Sequence, residues 1–172
     1  MTLARVRTVY GRFLEIIAIV LMVALAVEVT VGVIFRYAGY SLTWYDEVAS
    51  ILLAWVTYYG SALAALRRAH LGVPELVRTL PSAARVALAI VAEGCVFAFF
   101  LVLAWVGYSV LEVLFTDHLV SLPAISVAYT QSVIPISAVL FIIAEALCLP
   151  EILREARSAR PAVHAGPTAD VI

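Results

Sequence analysis

Four stretches long and apolar enough to cross a bilayer fill most of this chain, at Phe13 to Phe35, Val48 to Leu66, Val86 to Phe115 and Leu119 to Leu149. A helix needs about 20 residues to cross a hydrocarbon core of roughly 30 Å, and each stretch reaches that length when Glu15, Glu28, Glu93, Glu112 and Glu145 are tolerated in or beside the spans. With 65% hydrophobic and 13% charged residues, a soluble domain of 172 residues could not hide so much apolar surface. The expected fold is an all-α integral membrane protein. It has four transmembrane helices and a short amphipathic cytoplasmic segment between the second and third.

Arginine sets the expected orientation, because the chain contains no lysine. Arg5, Arg7 and Arg12 precede the first span, Arg67, Arg68, Arg78 and Arg85 lie between the second and third, and Arg154, Arg157 and Arg160 follow the fourth. Only Arg36 falls at the opposite level. The positive-inside rule reads this skew as both termini cytoplasmic. An uncleaved first helix fits better than a secretory signal, since the apolar run continues past Ala26 to Phe35. A net charge of -1 gives no reason to expect nucleic acid as a partner; membrane lipid is the expected surrounding.

Residues 1–157 read as a single membrane domain, and 158–172, with Pro161, Gly166 and Pro167, as a disordered cytoplasmic tail. Gly72 and Pro74 interrupt the loop after the second span, and Val73, Leu76, Val77 and Leu80 recur at helical spacing, which predicts a surface-lying amphipathic piece. Pro81 is placed at the start of the third helix. Pro135 is placed near the middle of the fourth span, where it predicts a kink. Cys95 and Cys148 are expected to be unpaired.

The short connection from Arg36 to Thr43 makes the first two helices antiparallel neighbours, with Gly39 at the turn. Asp46 and Glu47 fall in the first turn of the second helix, where the macrodipole favours negative charge, and Arg36 closes the first helix for the mirror reason. Their attraction predicts a clamp across the hairpin, or else direct contact with a substrate or partner. Tyr37, Tyr40, Trp44 and Tyr45 form an aromatic belt at that level. A small-residue stripe of Ser50, Ala54, Tyr58, Ser61, Ala62 and Ala65 serves close helix approach, either inside the bundle or against another subunit.

Glu28 and Glu93 lie about 12 Å along their helices from Arg36 and Arg85, so neither can simply be dismissed as interfacial. Each must be hydrogen-bonded within the bundle, bound by a partner subunit, or engaged in proton transfer. Glu15, one helical turn after Arg12, is expected to pair with it. His70, His118 and His164 lie outside the spans, which argues against axial haem ligation. Neither a Gly-x-Ser-x-Gly, a His-Glu-x-x-His nor a phosphate-cradling glycine loop occurs, so no enzyme class is indicated and no cofactor or metal site is expected.

The run Phe35-Arg36-Tyr37, then Leu42-x-Trp44-x-Asp46-Glu47, then Ala54-Trp55 and Gly60, then Leu66-Arg67-Arg68-x-His70-x-Gly72-Val73, resembles the small membrane subunit of tripartite ATP-independent periplasmic (TRAP) transporters. Pro123 to Tyr129 followed by Ile134-Pro135 is similar too, so the resemblance covers about residues 10 to 150. The chain departs from the family pattern at Pro74, which follows Val73 where an acid is common, and at Asp46, where glutamate is commoner. The resemblance implies an accessory permease subunit that widens a static scaffold, multi-pass in a bacterial or archaeal cytoplasmic (inner) membrane. Its implied partners are a large membrane subunit, which carries the substrate and sodium sites and moves as an elevator, and a periplasmic protein that delivers a carboxylate-bearing solute. It also marks Arg36, Tyr37, Trp44, Asp46, Glu47, Trp55, Gly60, His70 and Gly72 as structural or interface residues. The alternative is an autonomous, oligomeric small transporter or channel using Glu28 or Glu93 as a proton site.

Overall fold

The computed structural model of the chain describes residues 3–68 and 81–157. Five helices account for most of them: α1 (Leu3–Tyr37), α2 (Tyr45–Leu66), α3 (Ser82–Leu114), α4 (Val127–Gln131) and α5 (Val133–Arg157). Four spans long and apolar enough to cross a membrane result, with α4 and α5 forming the last one together. The expected amphipathic segment and the tail lie outside the described residues.

Each helix end has a local cause. At the end of α1 the Gly39 N–H donates to the Arg36 carbonyl at 3.2 Å and the Tyr40 N–H to the Phe35 carbonyl at 3.0 Å. This Schellman closure needs the left-handed conformation that Gly39 supplies at φ 84°. Arg68 takes the corresponding left-handed position after α2, at φ 53°, and donates its backbone N–H to the Ala65 carbonyl. Pro81, extended at φ -61°, immediately precedes α3, close to where the sequence places it.

The fourth span departs from the sequence reading. Leu119 to Ser126 form a loop, closed by the Leu119 N–H to the Ile125 carbonyl and an isolated bridge between His118 and Ser126. The helix starts only at Val127, where Ser126 is the N-cap and its hydroxyl accepts from the Ala128 N–H. Pro135 therefore falls in the first third of the span, and the break sits at Ser132. The cause is that Pro135 has no N–H for the Gln131 carbonyl. The helix also runs on through Pro150 to Arg157.

α2 and α5 lie at the centre, with α1 packed along α2 and α3 packed along α5. Of the most apolar window of each span, 39% is buried in the last but 6% in the first and none in the third, so the flanking helices present most of their surface outward. The core gathers Leu14, Ala62, Ala65, Leu66, Phe141, Ala144 and Cys148. Three of these are alanines, whose size lets helix backbones come close. The inner half of the α2 stripe is thus used inside the bundle. Cys148 directs its thiol to the Leu66 carbonyl at 3.4 Å, and both cysteines are free. Phe100 of α3 stacks on Phe141 at 3.7 Å between centroids.

Glycine fixes the α1–α2 seam at both ends. A Cβ on Gly32 would stand 2.1 Å from the Tyr45 ring, and one on Gly11 would meet Leu66 at 3.2 Å. Gly60 is different, for a Cβ there would meet nothing within 4 Å. Gly32→Ala should therefore overpack the seam by about 1 to 3 kcal/mol and lower the thermal midpoint of the solubilised protein, whereas Gly60→Ala should leave it unchanged or raise it. Equal midpoints for the two variants would contradict this packing.

Candidate functional site: fastenings at the two ends of the bundle

At the end of the bundle bearing the 38–44 and 115–126 connections, α2 is fastened by a carboxylate. The first turn of α2 aims Glu47 at the loop before α4. One oxygen accepts the Val120 N–H at 3.2 Å, and the other accepts the Ser121 N–H at 2.9 Å and the Ser121 hydroxyl. These donors belong to a loop that has no regular helix to satisfy them, so a carboxylate reaching across is the physical solution. The expected clamp to Arg36 is corrected here. Among the described residues Arg36 forms no ion pair, and Glu47 is committed to backbone donors that the sequence could not place beside it.

A second fastening lies deeper. The Trp55 indole N–H donates to the Thr130 carbonyl at 2.8 Å, which joins α2 to α4 just before the break at Ser132. Beside it, Ser50, Ile51, Ala54, Tyr58, Thr130, Gln131 and Val133 enclose a cavity of about 120 Å³. The outer half of the α2 stripe lines this cavity. On the far side of α5, Tyr108 and Leu111 of α3 face Ser132, Pro135 and Ile136 across an apolar groove of about 380 Å³.

At the opposite, arginine-bearing end, ion pairs tie three elements together. Arg7 of α1 meets Glu151 of α5 at 2.5 Å and donates to the Leu66 carbonyl at 3.0 Å. Arg68 meets Glu155 at 2.7 Å, and Arg67 meets Glu15 at 3.0 Å. Glu15 is thus paired across helices with Arg67 and not with Arg12. The Tyr10 hydroxyl adds a bond from α1 to the Leu140 carbonyl at 2.7 Å. Single exposed pairs contribute roughly 0 to 1 kcal/mol each, so their value here lies in tying α1, α2 and α5 at one level.

The intramembrane acids are distributed unevenly. Glu93 of α3 and the buried Glu145 of α5 lie within electrostatic reach of each other and of Arg68, and among the described residues one buried Glu93 oxygen has no hydrogen-bond partner. In the sequence Glu145 reads only as a tolerated charge; its place on an apolar helix two to three turns from Arg154 is the available signal. Glu28 is half-buried on α1, away from this group, and makes no hydrogen bond or ion pair among the described residues. Tyr37 and Asp46 are exposed, and Trp44 is half-buried. His70 and Gly72 lie outside the described residues. Among the described residues no group of three or more His, Cys, Asp or Glu could hold a metal ion.

A model of the DctQ component of tripartite ATP-independent periplasmic transporters matches residues 25–155. None of the curated proteins matches the chain.

Glu47→Ala removes every hydrogen bond of the carboxylate latch and should lower the thermal midpoint more than Ser121→Ala, which leaves the backbone donors in place. The Glu47→Ala/Ser121→Ala pair should lose less than the two single losses added, while Arg36→Ala and Glu47→Ala should add. The reverse pattern in thermal melts would restore the clamp in place of the latch.

Proposed function

Because the chain belongs to the family of DctQ components of tripartite ATP-independent periplasmic transporters, we propose that it serves as a static scaffold for a large, elevator-type membrane subunit. The observation that carries this reading is the double fastening of the bundle. Glu47 and Trp55 tie α2 to the α3–α4 loop and to α4, while the Arg7, Arg67 and Arg68 pairs tie α1, α2 and α5 at the other end. A bundle held at both ends suits a frame against which another subunit moves. Rocking of helix against helix would have to break one set of contacts in each cycle.

The transport cycle in this proposal is sodium-coupled uptake of a carboxylate-bearing solute delivered by a periplasmic binding protein. The solute and sodium sites belong to the large subunit. The largely outward-facing α1 and α3 supply surface for assembly and for lipid. The arginine skew supports an inner-membrane orientation with both termini cytoplasmic, which would set Glu47 and the 115–126 loop on the periplasmic side.

Expressed together with the large permease subunit, the chain should copurify with it, and uptake in reconstituted liposomes should require both subunits and the binding protein. Uptake by liposomes containing this chain alone would overturn the scaffold reading and favour an autonomous transporter.

A further inference from the structure

Two acids meet across the seam between α3 and α5, and the packing beside them sets their register. Phe100 stacks on Phe141 at 3.7 Å between centroids, and a Cβ on Gly107 would meet Ile134 at 3.2 Å, so the two helices run antiparallel with matched steps. Glu93 lies two helical turns before Phe100 on the same face of α3, and Glu145 lies one turn after Phe141 on α5. Both steps lead toward the arginine-bearing end. The two carboxyls therefore stand on facing stripes, offset along the axis by about 4.5 Å, a gap that two glutamate side chains can close.

Both acids are deep in their spans. Glu93 stands about 12 Å along α3 from Arg85, and Glu145 about 13 Å along α5 from Arg154. Glu145 is 9% exposed and Glu93 is half-buried, and among the described residues one buried Glu93 oxygen has no hydrogen-bond partner. Neither carboxyl forms an ion pair among the described residues. Arg68, which follows α2, is within electrostatic reach of both, but its guanidinium is held by Glu155 at 2.7 Å. Cys148, the next titratable group along α5, directs its thiol to the Leu66 carbonyl. Two carboxylates in so poorly hydrated a seam, with the nearby cation already engaged, repel each other and lack donors. Keeping one proton removes the repulsion and turns one acceptor into a donor.

We propose that Glu93 and Glu145 hold a single proton between them, the protonated carboxyl of one donating to the carboxylate of the other. The shared proton adds a polar tie to a seam packed by Phe100 and Phe141. It is a property of the folded chain and does not depend on the scaffold reading.

Infrared spectra of the full chain in lipid bilayers at neutral pH test this. The wild type should show the carbonyl stretch of a protonated carboxyl, shifted to lower frequency in heavy water. Glu93→Gln and Glu145→Gln each place an amide donor beside the remaining carboxylate, so each should lose one protonated carboxyl from the wild-type spectrum while keeping the wild-type thermal midpoint. The double variant should lose no more of the band than either single one. Absence of the band from the wild type, loss in only one of the two variants, or a double loss equal to the sum of the singles would overturn the shared proton.

Discussion

Hydrocarbon gives no reward for setting one apolar helix against another, because lipid tails are as apolar as leucine. What then fixes the helices of this chain is close backbone approach at small residues and a few polar contacts that have nowhere else to go. Gly32 under the Tyr45 ring, Gly11 under Leu66 and the alanines of the core provide the first. Glu47, Trp55, Tyr10 and the three arginine pairs provide the second. The polar contacts concentrate toward the two ends, where water and headgroups let charged side chains stay ionised. Between them the seams rely on fit, helped by the Trp55 and Tyr10 bonds.

The sequence was readable where the signal is local. The apolar runs, Gly39 at the α1 turn, and Pro81 before α3 each act on neighbouring residues, and each appears where chain chemistry puts it. The same locality explains the departures. Leu119, Val120, Leu122 and Ile125 are apolar enough to pass for the start of a span, yet Pro123 and the Ser126 cap make that stretch a loop. Hydropathy measures transfer to lipid and does not register that the Val120 and Ser121 amides are taken by a carboxylate far back in the chain. The Arg36 clamp does not form for that reason: attraction across a short hairpin is legible in sequence, while competition from a distant loop is not. Glu145 escaped notice because its significance arises from α3 bringing Glu93 beside it.

Family membership makes this chain a small membrane component of a tripartite transporter, and the proposed scaffold role draws on its geometry. Its central helices α2 and α5 are bound to each other and to their flanks, whereas α1 and α3 turn most of their surface outward. An open row of helices with tied ends can widen a larger membrane body without itself changing shape. The intramembrane acids separate along the same line. Glu145 is buried and Glu93 half-buried within electrostatic reach of Arg68, while Glu28 is half-buried on α1.

Rigidity of the frame during transport is the claim on which this account turns. Spin labels at positions 40 and 117 report one end of the bundle, and labels at 12 and 154 report the other; all four residues are exposed. Distances within each pair, measured by pulsed electron paramagnetic resonance in the assembled transporter, should give one distribution that is unchanged by sodium and solute-loaded binding protein. A shifted or second distance population on their addition would contradict the static frame.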